Sequence, residues 1–385
     1  MQSLAARAAR PALVKPRPSK PSRRVSVLTP RASAPGGSGD EIEILEQAFA
    51  KAPVTKKLST PALLACPICL TPFPAGSLRC ARCARDAYPT KDGILDLCLD
   101  ANGAAGAYAE PQRSGTRLFQ SDVISAAYEN GWRQSFAWAG FPGEEEETEI
   151  AMTFLRGAGA TTAPRATLLD VSCGSGLFSR RFAASGEFAH VVASDFSASM
   201  MRQTKAYCEA DARLSNALRR KPVWEAGWEE EDAAARASAS TSTSTSTTST
   251  RLSFVRADVG RLPFATGSFD AVHAGAAMHC WPSPSAAVAE ISRVLRPGGV
   301  FIASTFLDPT SMLGDALGSD EMVQPLSAAF RESGLGTGGA FNQFWSEKEL
   351  RDLTTGMCGL ERFERKRERQ FIFFSVRKPE GGRRE

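Results

Sequence analysis

From about residue 118 onward, apolar runs of strand length alternate with segments of helical periodicity. LFQSDVISAAYENGW predicts a helix over 118–132, ATLLDV a buried strand, LFSRRFAASG a helix stopped by Gly186, and HVVASD a second strand. A helix over 198–218 follows, then strands LSFVRAD and FDAVHAG, helix SAAVAEISRVL and strand VFIASTF. Strands that alternate with helices imply a parallel, doubly wound α/β sheet. The last segment departs from this pattern. RFERKRERQ and FIFFSVRK read as two strands joined by a tight turn, an antiparallel edge. Residues 225–250 interrupt the alternation with AGWEEEDAAARASASTSTSTSTTST, whose Ser/Thr repeat cannot bury a core, so the whole insertion is expected to be disordered.

Before this domain the pattern carries different chemistry. Cys66, Cys69, Cys80 and Cys83 form C-x2-C-x10-C-x2-C within residues 64–99. Each pair sets two thiolates on one tight knuckle, and two knuckles converge on a tetrahedral ion, the signature of structural zinc. With all four ligands cysteine, no coordination position remains for substrate. Two disulfides or four unrelated cysteines suit this spacing poorly. Residues 40–63 read as a linker with a short helix, 100–117 as a Gly/Ala-rich linker, 118–378 as the large domain and 379–385 as a tail.

Composition changes the picture at one point. The formal charge of +4 is carried by residues 1–39, which contain eight basic residues and no acid; without them the body has a net charge of −4. That segment, rich in Ala, Ser and Pro and lacking a continuous apolar stretch, reads as a disordered organelle transit peptide, its proline content favouring a plastid. A mildly acidic body lacks the basic footprint of a protein that grips nucleic acid through phosphates. No run approaches the roughly 20 apolar residues that a membrane span requires.

The turn after ATLLDV is Asp170-Val171-Ser172-Cys173-Gly174-Ser175-Gly176, followed by a helix. A strand, a small-residue turn and a helix N-terminus bring backbone N–H groups up to a ligand at the carboxyl edge of the sheet. A dinucleotide fingerprint starting at Gly174 would require glycine at position 179, where the chain has Ser179. Strand HVVASD ends in Asp195, suited to accept from ribose hydroxyls, and LSFVRAD ends in Asp258, suited to accept from an adenine amine. Asp170, Asp195 and Asp258 are thus expected to face one crevice.

These segments, with ADVGRLPF, SFDAVHAG and LRPGGVF, resemble the successive motifs of class I S-adenosylmethionine-dependent methyltransferases, in particular the ubiquinone/menaquinone-methyltransferase-like group. YENGWRQSFAWAGFPG, HAGAAMHCWPSPSAAVAEISRVLRPGGVF and the cysteine ribbon narrow the resemblance to plant and algal chloroplast methyltransferases. The resemblance implies a seven-stranded Rossmann-like sheet with an antiparallel C-terminal edge. It implies a cofactor site of Asp170, Ser172, Cys173, Gly174, Gly176, Asp195, Phe196, Met200, Asp258 and Val259. One departure stands out: Ser172 takes the place of the family's first glycine, where φ > 0 costs more with a side chain.

His279, in MHCW beyond the strand FDAVHAG, is the candidate base or substrate contact, whereas His273 on that strand reads as core. Trp132, Trp138 and Phe141 are candidates to line an apolar acceptor pocket. The reaction implied is transfer of the sulfonium methyl to a small, prenylquinone-like plastid acceptor, in the stroma or at a lipid-body (plastoglobule) surface with peripheral association. The alternatives are an rRNA guanine methyltransferase that uses the ribbon to recognise RNA, and a non-catalytic cofactor-binding scaffold.

Overall fold

The computed structural model describes residues 63–74, 76–104, 106–108, 121, 129, 133–162, 166–241, 250–317, 320–332 and 344–381. The expected transit peptide, Trp132, most of the helix expected over 118–132 and the Ser/Thr run 242–249 lie outside them.

The parallel strands are β3 (Thr167–Val171), β4 (His190–Asp195), β5 (Arg251–Arg256), β6 (Phe269–Ala274) and β7 (Leu295–Phe306). Each is buried along nearly its whole length, as strands covered on both faces must be. Side chains alternate between two cores. Leu169, Val171, Val192, Val255, Val272 and Phe301 face one side, with Ala287, Val288 and Ile291 of helix α5 (Pro284–Val294). Leu168, Val191, Ala193, Leu252 and Phe254 face the other, against α1 (Glu144–Gly157), α2 (Leu177–Ser185) and α3 (Ala198–Ala210). The result is a three-layer α/β/α arrangement.

The C-terminal hairpin forms as expected: β9 (Phe371–Arg377) pairs antiparallel with β7, and β8 (Glu361–Glu368) with β9. β8 is the exposed edge, and its run of charged residues discourages further strand pairing.

Two expectations need correction. The sheet has nine strands rather than seven, in the order β1-β2-β5-β4-β3-β6-β7-β9-β8. The additional pair, β1 (Thr90–Lys91) and β2 (Ile94–Asp96), comes from the end of the cysteine segment, and β2 runs parallel to β5. The hairpin between them turns on Asp92 and Gly93, both at positive φ, the Asp-Gly pattern of a tight two-residue turn. Leu64, Cys66, Phe73 and Cys80 join the same core as α5. Burial of its apolar residues against the large domain holds the cysteine segment there.

The 225–250 insertion is also not wholly disordered, because Trp228–Thr241 forms a helix, α4. Three glutamates in its first turn suit the helix dipole, and the Ala-rich stretch has high helix propensity. Buried Trp228 and Asp232 then fasten it to the first residues of β4 and β5. Composition marked this stretch as unable to form a core of its own; it borrows one.

Candidate active site

The turn after β3 is wound tightly. Ser172, Gly174 and Gly176 all lie at positive φ, and a Cβ at Gly176 would come within 2.5 Å of Thr204 Cγ2. Ser172, at φ 52°, accepts the conformational cost that glycine would avoid. Its hydroxyl accepts a hydrogen bond from Trp281 Nε1 at 3.0 Å, which ties the turn to the segment after β6. Thr204 of α3 donates to Gly174 O at 2.6 Å. Burial pushes the Cys173 thiol well up, so it stays protonated.

The three strand-end acids do not share one role. Asp170 is 1% exposed and fully engaged, accepting from Ser179 Oγ at 2.5 Å while its other oxygen meets His273 Nδ1 at 2.7 Å. Both of its oxygens are thus engaged inside the core, and the contact accounts for the burial of His273 there. Asp195 accepts from two backbone N–H groups, Gly174 at 3.0 Å and Ser197 at 2.8 Å. Burial outweighs these bonds and pushes its pKa up to about 6. Asp258 accepts from Gly260 N at 2.8 Å and from the Tyr108 hydroxyl, and burial again raises its pKa. Phe196 lies between them, edge-on to Tyr108 with ring centroids 5.0 Å apart and under the guanidinium of Arg256. Val259 packs against the neighbouring core, and Met200 is buried at the start of α3. Asp195 and Asp258 are carboxylates short of donors. Ribose hydroxyls and an exocyclic amine would supply them, so the residues fit an adenosyl group.

Beyond the turn is a cavity of about 450 Å3 lined by Glu129, Arg133, Phe136, Phe141, Glu147 and Leu177, among others. Glu129 accepts from Ser175 of the turn and from Arg180 of α2, which connects the cavity to the turn. Glu147 is fully buried, paired with Arg133 at 2.6 Å and accepting from Ser304 Oγ at 2.6 Å. Phe306 joins the aromatic wall, 5.0 Å from Phe136 and 4.5 Å from Phe141. His279 meets the same ring edge-on at 4.9 Å; its own burial pushes its pKa down to about 3. Phe141 lines the cavity, as expected, while Trp138 is half-exposed and stacks on Phe306 from outside.

Cys66, Cys69, Cys80 and Cys83 come together, with their sulfurs within 4.8 Å of one another. Tetrahedral zinc with bonds of about 2.3 Å separates its ligand sulfurs by about 3.8 Å, so the four thiols fit such an ion with small adjustments.

Sequence reasoning missed Glu147, Arg133 and Tyr108. Arg133 and Glu147 carry no local motif, their pairing across 14 residues being a product of the fold, and Tyr108 stands in a Gly/Ala-rich stretch with no periodicity.

Residues 228–303 match the model of a methyltransferase domain. Over 373 residues the chain is 35% identical to an uncharacterized chloroplastic methyltransferase of Arabidopsis thaliana, covering 93% of this chain and 86% of that one. A second chloroplastic methyltransferase of the same plant is 38% identical over 333 residues, 82% of this chain and 79% of the relative. A demethylmenaquinone methyltransferase of Parafrankia sp. is 37% identical over 147 residues, 38% of this chain and 49% of that protein.

Proposed function

We propose, from the premise that this chain belongs to the S-adenosylmethionine-dependent methyltransferases, that it methylates a small aromatic or quinol-like acceptor inside the chloroplast. The observation that carries the acceptor class is the cavity beside the cofactor turn. Its volume of about 450 Å3 suits a small organic molecule, and its walls combine Phe136 and Phe141 with the buried Glu147–Arg133 pair. The partial likeness to a demethylmenaquinone methyltransferase agrees with a quinol-like ring. The chloroplast names of the two Arabidopsis relatives agree with the acid-free, Pro- and Ser-rich N-terminal segment.

When bound, S-adenosylmethionine supplies a methyl group on a sulfonium that is already a good leaving group. The residues of this chain bind and align. Asp195 holds the ribose, Phe196, Asp258 and Val259 hold the adenine, and Ser172, Cys173, Gly174, Gly176 and Met200 shape the backbone cradle. Asp170 keeps the turn rigid through Ser179 and His273. His279, buried edge-on against Phe306 with its pKa pushed down to about 3, is neutral at physiological pH and backs the aromatic wall of the cavity. Alignment beside the aromatic rings of Phe136 and Phe141 is the main contribution, which suits an acceptor with an acidic hydroxyl or an activated carbon. The four cysteines would hold a structural zinc, and elemental analysis of the purified full chain should find one ion per chain.

The deciding experiment incubates the full chain with methyl-labelled cofactor and, separately, a chloroplast lipid extract, a soluble stromal extract and ribosomal RNA. Label in one small lipid-soluble product supports the reading. Label confined to RNA overturns it in favour of a base methyltransferase, and cofactor binding without turnover on any substrate points to a scaffold.

A further inference from the structure

We propose that the cysteine module is a clamp on the adenine end of the cofactor site, with Tyr108 as the residue that closes it; this rests on the assignment of Asp195, Phe196 and Asp258 to the adenosyl group. Each of the two knuckles is tied to a different wall of that subsite. The first knuckle is Cys66-Pro67-Ile68-Cys69. Its two central carbonyls accept from Arg261, Pro67 O from Nε at 2.8 Å and Ile68 O from Nη2 at 2.6 Å. Arg261 closes the turn that starts at Asp258, its N–H bonding Asp258 O at 3.0 Å. Backbone pairing of Leu63, Leu64 and Ala65 with residues 263–265 extends this attachment.

The second knuckle ends at Cys83, and Arg85 just beyond it donates to Asn102 O. Asn102 is fully buried, and its amide donates to Asp96 O at 2.9 Å and Cys98 O at 2.8 Å. It thereby shapes the chain from β2 towards Tyr108, whose oxygen accepts weakly from Leu99 N at 3.4 Å. Tyr108 then reaches the opposite wall, donating to Asp258 and packing on Phe196. Arg256 braces both sides, bonding Asp96 at 2.9 Å and Phe196 O at 2.8 Å. Displacement of either knuckle therefore moves an acid or an aromatic ring that defines the adenine position. In this chain the cysteine module is a positioning element for cofactor affinity and base selectivity.

The test is calorimetric titration of the full chain with S-adenosylhomocysteine and with S-inosylhomocysteine, which lacks the adenine amine. Wild type, Tyr108→Phe, Tyr108→Ala and Arg85→Ala are compared, with thermal melts run on each to show that it folds. Tyr108→Ala is expected to weaken S-adenosylhomocysteine binding by about tenfold, as loss of an aromatic contact to a base does. Tyr108→Phe keeps the ring and loses less. Arg85→Ala, which touches no ligand, is expected to weaken binding and to reduce the preference for adenine over hypoxanthine, whereas a merely structural role would lower the melting temperature and leave that preference intact. Unchanged affinity and preference in Tyr108→Ala and Arg85→Ala overturns the clamp, as does tighter binding in Tyr108→Ala, which would make Tyr108 an obstruction. Failure of wild type to bind S-adenosylhomocysteine would instead overturn the cofactor-site assignment on which the clamp rests.

Discussion

The two ends of β4 treat a buried carboxylate in opposite ways. At its first residue, His190 bonds Asp232 of α4 at 2.5 Å, and Asp232 also binds Arg220 and, at 2.7 Å, the fully buried Arg251. Burial alone would raise the Asp232 pKa, but the hydrogen bonds and charges of His190 and Arg251 hold it well below the usual carboxylate range. At the last residue of the same strand, about 17 Å away at strand rise, Asp195 has backbone donors only and is pushed up to about 6. The lower end surrounds its carboxylate with basic partners and secures an insertion. The upper end has backbone donors but no counter-charge, and on the proposed reading a ligand with hydroxyl and amine groups adds donors there.

The largest way to break this contrast is to remove Asp232. Asp232→Ala leaves the buried Arg251 with only the partly exposed Glu231 as counter-charge, and should cost about 3 kcal/mol of stability by chemical denaturation. Cofactor affinity of the folded fraction should stay unchanged, and a parallel loss of affinity would show that the two ends are coupled. Asp195→Asn should do the reverse. Loss of charge-assisted bonds to the ribose should weaken S-adenosylhomocysteine binding by about 3 kcal/mol, more than a hundredfold. Stability of the free protein at pH 7 should hold or rise, since an ionised carboxylate penalised by burial has been removed.

A pH titration sharpens the same point. Because the folded pKa of Asp195 lies above its unfolded value of 3.8, protonation favours the free fold; that contribution is complete below about pH 4 and is lost as pH rises through 6. The ligand prefers the ionised form. Affinity measured by calorimetry should therefore fall by up to about tenfold per pH unit below 6, and the Asp195→Asn profile should be flatter. The smallest effect is expected at Ser172. Ser172→Gly relieves about 1 kcal/mol of backbone strain and loses the Trp281 bond of similar worth, so stability should shift by less than about 1 kcal/mol. A loss above about 2 kcal/mol would show that the indole anchor dominates the turn.

Much of the fold was legible from residue pattern. Gly186 stops α2, β7 runs through VFIASTF, and the C-terminal hairpin lies where its two runs predicted it. The Asp92-Gly93 turn was a readable hairpin signal, but strands of two and three residues are too short for periodicity to reveal. Helix α4 was hidden by the low-complexity run that follows it, because composition reports a segment's average and burial acts through single residues such as Trp228 and Asp232.

At the candidate site, sequence alone marked the positions on which the proposal rests: the glycine-rich turn, the strand-end acids and the four cysteines. Spacing is enough for these, since a turn, a strand end and a knuckle are local geometries. Tertiary structure decided how the acids divide their work. Asp170 is held by Ser179 and His273 inside the core, which leaves Asp195 and Asp258 as the pair that the proposed reading turns towards a ligand, because partners such as His273, 103 residues from Asp170, are supplied only by strand order. It also brought Tyr108 to Asp258, and Glu147 and Arg133 to the cavity on which the proposed function rests. Desolvation and long-range pairing set the charge state of a carboxylate, and neither is encoded in its near neighbours along the chain.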